Sequence, residues 1–533
     1  MPQLADVLAD HLSSADGRSV RDLMRGLKTD PRTARIPRTQ VERTLAGDAR
    51  FARSGDGPKA VWELSDRTPP PPPHRRTAGA LARAVDPGDP LAGLELRDWQ
   101  VEAFAAWAAA GMRGVVEAVT GTGKTRLAIA AVRACLAHDG RALVIVPTLD
   151  LVEQWTKELR RLVPAARIGR LGGGEADDLH DHHVVVATPH SAAAVPVDVP
   201  HGRPALLVAD EAHRYGAPTW GAALRPAFAM RLALTATYER NDDGIEDVLG
   251  PYFGGIVCAY GYDRAVPDGV VAPFRIAFAG TALEDAERAS YDELDRRAKQ
   301  LHRDLVGTHG FPRDPRRLFA AVAATVAEAG GDPSRSHDPT VAACREYLFR
   351  VRARRDVAAT AAGKLDVVAA LAPGLLAHAD RTLVFTDTVD QADNAARLLT
   401  RAGLPAETVH GDLPDAQRRI RLAQFRNGNL RVVVAPRVLD EGVDVPAADV
   451  AVVLAAFRTR RQMIQRLGRV LRLKEDGRPA RLVVAYAKDT REDPSAGAHE
   501  DFLTEVLPVA SEVVTLDADA QRAALADWLA VRR

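Results

Sequence analysis

Short continuous apolar runs, each followed by a polar stretch of helical periodicity, recur in two separate blocks of the chain. In the first block, from Leu94 to about residue 260, the runs are Gly114–Ala118, Ala142–Val146, Val184–Ala187, Leu206–Ala209 and Leu232–Leu234. In the second, from Arg381 to Tyr486, they are Thr382–Thr386, Thr408–His410, Arg431–Val434, Val450–Leu454 and Leu482–Tyr486. A run without polar alternation predicts a strand covered on both faces, and helices between such strands predict a parallel sheet. The expected fold class is therefore α/β, with two similar parallel-sheet lobes. The stretch between them, 283–362, is charged and helical in period and has no strand run, so it reads as a helical insertion. After Asp489 the pattern predicts a tail with one helix, about 518–532.

The N-terminal stretch has a different pattern. Leu4, Val7, Leu8 and Leu12 sit at helical spacing, then Val20, Leu23, Met24 and Leu27, then Val41 and Leu45. Arg50–Arg53 and Ala60–Leu64 flank Ser54-Gly-Asp-Gly-Pro58, a turn that predicts a β-hairpin. Three helices followed by a hairpin resemble a winged helix. The proline run Pro69–Pro73 predicts a stiff polyproline spacer. The expected organisation is a winged-helix-like domain over 1–68, a Pro-rich linker over 69–93, lobe one over 94–282, the insertion over 283–362, lobe two over 363–490 and a tail over 491–533.

Composition narrows the partners. Lys+Arg and Asp+Glu both number 71 in 533 residues, so net charge does not announce a polyanion. Residues 1–68 hold 12 Lys+Arg and 10 Asp+Glu, a net of +2. The three cysteines form no C-x-x-C pair, which speaks against a zinc or disulfide framework and fits a cytoplasmic protein. The opening MPQLADVLADHL reads as neither signal nor transit peptide. No apolar run approaches the roughly 20 residues of a membrane span, so no membrane is expected as a partner.

The candidate chemistry lies at the ends of the predicted strands. Gly114–Ala118 runs into Thr120-Gly-Thr-Gly-Lys-Thr125 and a helix follows, the setting of a phosphate-binding P-loop. Thr120, Gly121, Thr122 and Gly123 can turn backbone N–H groups toward phosphate oxygens, and the helix N-terminus adds partial positive charge. Lys124 is expected on the β- and γ-phosphates and Thr125 on Mg²⁺. Asp210-Glu-Ala-His213 ends another apolar run, so Asp210 is a candidate for holding the metal, partly through water. Glu211 is a candidate for orienting or deprotonating the attacking water. Leu96-Arg-Asp-Trp-Gln100 precedes the P-loop, and Arg97 and Gln100 are candidate nucleotide contacts, Gln100 at the adenine edge. Thr235, Thr237 and His213 are candidates for relaying the state of the phosphate. Thr148 and Thr188 follow strands and could offer hydroxyls to a nucleic-acid backbone.

In the second block, Asp440-Glu-Gly-Val-Asp444 follows a strand, with Gly442 and Asp444 as further nucleotide contacts. Arg461–Arg472 reads as a helix bearing Gln465, Arg466, Arg469 and Arg472. Arg466 and Arg469 lie one turn apart. An arginine brought from another lobe stabilises transition-state charge by a factor of about 10³–10⁵.

This ordered set resembles the superfamily 2 DEAD/DEAH-box helicases. The DEAH tetrad, Thr235-Ala-Thr237, VLDEGVDVP and QRLGRVLR place the resemblance in the XPB-like branch, over roughly 94–490. Tyr291-Asp-Glu-Leu294, Lys364, His410-Gly-Asp412 and Phe425-Arg-Asn-Gly428 add to it. The resemblance implies two RecA-like lobes closing on ATP and Mg²⁺, and a helical thumb over 283–362 gripping DNA. Arg345, Arg350, Arg352, Arg354 and Arg355 give that segment a basic stretch. One position departs: Asn241 stands in Glu239-Arg-Asn-Asp-Asp243 where the family has Glu, which bears on strand separation and not on hydrolysis. The leading expectation is an ATP-dependent DNA helicase or translocase. The alternatives are a nucleotide-gated remodelling module that separates no strands, and the motor of a restriction or phage-defence complex with a nuclease or repair partner.

Overall fold

The computed structural model describes residues 93–240, 242–330, 338–436, 448–454, 472–474, 476–496 and 500–530, with Leu91 and Gly468. In the N-terminal unit it describes Arg18–Ser19, Leu45, Phe51–Ser54 and Val61–Leu64. The chain divides into two units, Met1–Ala92 and Gly93–Arg533.

In the first unit, strands β1 (Arg18–Ser19), β2 (Phe51–Ser54) and β3 (Val61–Leu64) form an antiparallel sheet in the order β1-β3-β2. The expected hairpin is present, with Phe51 opposite Leu64 and Ser54 opposite Val61. Its third strand was not expected. Leu45 is helical and buried, and the other positions expected to be helical in this unit lie outside the described residues.

The second unit is built on two sheets. The first comprises β4 (Arg113–Ala118), β5 (Arg141–Ile145), β6 (Ile168–Gly172), β7 (Glu175–Ala176), β8 (Val184–Ala187), β9 (Ala205–Asp210), β10 (Met230–Thr235) and β11 (Ile256–Tyr260). Their order is β11-β4-β10-β9-β5-β8-β6-β7, parallel except for the β6–β7 pair. Alternate residues of each central strand enter opposite cores. Val116, Val144, Val208 and Leu234 pack on one face, and Val115, Leu143, Leu207 and Ala233 on the other. Burial on both faces is why these strands read as unbroken apolar runs.

The second sheet is entirely parallel. It comprises β12 (Phe274–Thr281), β13 (Thr382–Thr386), β14 (Ala406–Thr408), β15 (Val432–Pro436), β16 (Val450–Val453), β17 (Ala480–Ala487) and β18 (Glu512–Asp517), ordered β14-β15-β13-β16-β17-β12-β18. Two expectations are corrected here. Strand β12, assigned from sequence to lobe one, pairs along its whole length with β17, from Phe274 opposite Ala480 to Thr281 opposite Ala487. The tail supplies more than one helix: it adds β18, paired with β12, and helices Glu500–Val506 and Arg522–Trp528. A core runs between the lobes through Tyr262, Val271, Phe274, Leu503 and Val506.

The helical insertion consists of Asp285–Gly307, Pro315–Gly330 and Pro339–Ala359, with a small core of Leu305, Leu318, Val322 and Cys344. Its base is tied to the loop after β17. Arg288 donates to Lys488 O (2.8 Å) and Asp489 O (3.1 Å), and Arg491 N donates to the Tyr291 hydroxyl (2.8 Å). Segment Pro339–His378 is long and apolar enough to cross a bilayer by composition, but half of its apolar window is buried inside the fold. Val367, Val368, Leu371 and Leu375 of Gly363–His378 sit in the core of lobe two.

Candidate nucleotide site

Strand order brings the chemistry together. β4, β10 and β9 are adjacent, with Thr235 in register with Glu117 and Leu234 with Asp210. Their carboxyl ends therefore carry the P-loop, Thr235-Ala-Thr237 and the Asp210–His213 turn side by side. That is the edge at which open α/β sheets bind ligands.

The P-loop is curled as its glycines allow. Gly121 and Gly123 have φ of +83° and +92°, a region that suits residues lacking Cβ. Helix Lys124–Ala137 begins directly afterwards, so its first N–H groups face the loop. Thr122 is buried and donates from Oγ1 to Val119 O (2.8 Å). The half-buried Lys124 donates to Ala118 O (2.7 Å) and Val119 O (3.4 Å). Burial pulls its ammonium below the usual lysine range, opposed by the Glu211 and Asp210 carboxylates. A desolvated cation beside two carboxylates suits a polyphosphate with a divalent metal. The donor set of Lys124, Thr125, Asp210 and the helix N-terminus fits Mg²⁺–ATP.

Gln100 is placed differently from the sequence expectation. It is 1% exposed, and its amide nitrogen donates to Gly123 O (2.8 Å) and Thr122 O (3.4 Å) while its oxygen accepts from Arg97 N (2.8 Å). Arg97 Nη1 also donates to Thr122 O (3.3 Å). Both side chains thus brace the P-loop from behind, and both N–H groups of the Gln100 amide are engaged there rather than at a base edge.

Asp210 closes β9. Its Oδ1 accepts from Glu211 N (3.0 Å) and its Oδ2 from Trp155 Nε1 (3.2 Å). Trp155 was not singled out from sequence. It sits on helix Leu149–Leu162, where the spacing of Val152, Trp155 and Leu159 marks a core face and carries no sign of a polar role. Glu211 follows with φ of +51°, left-handed for a residue with a side chain. The buried His213 places Nδ1 3.1 Å from Thr235 Oγ1 and 3.6 Å from Glu211 Oε2. Thr235 Oγ1 donates in turn to Thr237 O (2.7 Å). The three coupling candidates of lobe one therefore form one connected chain. Arg240 donates to His213 O (2.5 Å) and pairs with Asp242. Asn241 lies outside the described residues.

From lobe two, Gly468 and Arg472 reach the P-loop. A Cβ on Gly468 would overlap Thr120, and a Cβ on Gly121 would lie 3.5 Å from Gly468 O and 4.0 Å from Arg472 Cγ. Gly468 is helical and Arg472 stands in a bend. Gly442, Asp444, Gln465, Arg466 and Arg469 lie outside the described residues.

Three nucleic-acid expectations meet competing partners. Thr148 and Thr188 cap helices, accepting from Leu151 N (3.3 Å) and Ser191 N (3.4 Å). In the insertion, Arg354 pairs with Asp295 (2.5 Å), Arg350 with Glu346 (3.5 Å) and Arg352 with Asp356 (3.7 Å), while Arg355 pairs with Asp356 (2.7 Å) and approaches Asp387 (4.0 Å). That basic stretch is thus largely matched by carboxylates.

Comparison with known proteins agrees with this geometry. Residues 93–240 match the family model described as type III restriction enzyme, res subunit, and residues 363–474 match the helicase conserved C-terminal domain. The DNA 3'-5' translocase XPB2 of Sulfurisphaera tokodaii is 31% identical over 406 residues, covering 74% of this chain and 82% of that protein. The DNA 3'-5' helicase XPB of Kineococcus radiotolerans is 26% identical, over 80% of this chain and 65% of its own length. A putative DNA 3'-5' helicase Rad25 of Haloarcula marismortui is 28% identical, and the chain spans 54% of it. Among solved structures, S. cerevisiae Dbp5 bound to RNA and ADP BeF3 superposes with a TM-score of 0.52 at 13% identity, over 84% of this chain and 98% of that one. That likeness concerns the fold. With two parallel-sheet lobes, the motif ends aligned on adjacent strands and a relative matched over most of its length, the chain belongs to the XPB-like branch of superfamily 2, the ATP-dependent helicases.

Proposed function

We propose that the chain hydrolyses ATP between its two lobes and uses the cycle to move on DNA. The observation that carries this reading is the meeting of P-loop, Asp210 turn and Thr235-Ala-Thr237 on three adjacent strand ends, with Gly468 and Arg472 of lobe two against the P-loop. When bound, ATP would supply the phosphoanhydride and Mg²⁺ would offset part of the phosphate charge. Lys124 and the P-loop N–H groups would bind the phosphates, Thr125 and Asp210 would hold the metal, and Trp155 fixes the Asp210 carboxylate. Glu211 orients the water and takes its proton. His213 passes the state of that carboxylate to Thr235 and Thr237. Arg466 and Arg469 are assigned to the transition-state charge, Gln465 to coupling, and Gly442 and Asp444 to nucleotide contact.

DNA as the track is supported by the names of the matched relatives, which are DNA translocases and helicases. Asn241, standing where the family has Glu, favours movement on duplex over strand separation. ATP turnover measured side by side with single-stranded DNA, duplex DNA and RNA tests the reading. Duplex DNA should stimulate most, and stimulation by RNA alone would overturn the choice of track. Lys124→Ala should remove the stimulated turnover, and retained turnover would refute the site. Restriction or defence is a second reading, favoured by the res-subunit match of lobe one. A nuclease partner recovered with the full chain would support it.

A further inference from the structure

Lys364 is a lysine with no exposed surface, and the nucleotide site does not use it. Its ammonium donates to Glu492 Oε2 (2.6 Å), Leu454 O (2.8 Å) and Ala359 O (3.4 Å). These acceptors come from three parts of the chain. Ala359 ends the last helix of the insertion, Leu454 follows β16 and Glu492 follows β17. Ala359 O also accepts from Gln391 Nε2 (3.0 Å), whose Oε1 accepts from Asp387 N (3.3 Å) beyond β13. Glu492 is itself buried, and its Oε1 has no hydrogen-bond partner among the described residues. Lys364 is thus the one cation paired with it there. Beneath the pair, Ala362 N donates to Glu287 Oε1 (2.9 Å) on the first helix of the insertion.

Burying two charges is costly, and an apolar pair of similar volume would often be as stable or more so. A pair kept here is therefore better explained by the geometry it fixes than by stability. All three N–H groups of Lys364 are spent on holding the insertion's exit, the end of β16 and the end of β17 at one point. Leu454 is the residue from which the chain departs toward Gln465, Arg466 and Arg469.

We propose that Lys364 and Glu492 are a positioning pair that locks the helical insertion to lobe two and sets the departure point of the arginine-bearing segment. Engagement of the insertion by nucleic acid is then transmitted through this joint to the strand ends of lobe two. The proposal rests on the reading of the cleft as the hydrolytic site. Glu492→Gln preserves shape and removes the charge. Lys364 then keeps Leu454 O, Ala359 O and the amide oxygen as acceptors, so this variant should fold with a lowered melting temperature. It should keep basal turnover and the KM for ATP within about twofold, and lower nucleic-acid-stimulated kcat on the order of tenfold, within the span of coupling between sites. Lys364→Met leaves Glu492 buried without a cation and should fold poorly. Combining it with Glu492→Gln should restore the melting temperature but not the stimulation. Wild-type stimulation in Glu492→Gln, or its full recovery in the double variant, would overturn the proposal. Equal losses of basal and stimulated rates would overturn it too, since they would mark a merely structural pair. Lys124→Ala in the same assay separates the two readings. If it abolishes turnover while Glu492→Gln behaves as wild type, the hydrolytic site stands and the joint falls.

Discussion

Glu211 holds a left-handed conformation that costs a residue with a side chain about 1–2 kcal/mol and that asparagine adopts more readily. The strain falls on the residue assigned to the water, where function and stability part. Glu211→Asn should abolish hydrolysis while raising stability by about 1 kcal/mol. Thermal melts beside turnover assays check this, and a lowered melting temperature would remove the strain argument. At this scale the sequence was a good guide to residue types and a poor one to their partners. Lys124, Asp210 and His213 stand where strand-end motifs put them. Gln100 read as a base contact because its amide suits adenine, yet that amide lies behind the P-loop, a placement set by the packing of helix Asp98–Ala109. Trp155 was illegible because a tryptophan on a core face looks the same whether or not its N–H finds a carboxylate.

Elements were legible in proportion to their burial. The central strands β8 and β13 coincide with their apolar runs, since residues covered on both faces leave no polar alternation. The missed elements lie at edges or carry unusual sequence. β6 is interrupted by glycines, β11 is partly exposed, and β18 alternates buried and exposed positions. β12 is fully buried, but its partner is some 200 residues further on, and no local pattern reports so distant a pairing. The tail was undervalued for the same reason. Arg275 donates to Ala530 O (3.1 Å) and pairs with Glu512, Arg481 donates to His378 O and Leu529 O, and the Ala526 backbone packs against Gly374. Val506, Leu525, Trp528 and Leu529 are buried, each side chain contributing about 1.5–3 kcal/mol by burial. Removing residues 500–533 should therefore cost lobe two most of a typical domain stability of about 5–15 kcal/mol. Loss of its cooperative unfolding transition in calorimetry is the expected outcome, and an unchanged transition would contradict the tail's place in the sheet.

For the whole molecule, net charge is zero, and where the described Arg350, Arg352, Arg354 and Arg355 are paired with carboxylates, a phosphate contact there must displace an ion pair. Many arginines serve the fold instead. Arg231 donates to Phe228 O, Tyr252 O and Pro226 O at the start of β10, away from the catalytic strand ends. The salt dependence of DNA binding should accordingly be shallow. Deleting residues 1–68 should leave basal ATPase intact, weaken DNA association and flatten the slope of log K against log salt further. An unchanged slope would assign the N-terminal unit to a protein partner.

The placement of β12 also orders events during synthesis. Every strand of the first sheet comes from residues between 113 and 260, so lobe one can close as soon as that stretch leaves the ribosome. β12 emerges next, yet both strands that cover its edges arrive only with residues 480–517. At about 5–20 residues per second, this largely apolar strand, with Arg275 near its start, waits on the order of 10–40 s with its edges bare. The nascent chain thus passes through a state with one finished lobe and one sticky ribbon, the state on which chaperones and aggregation compete.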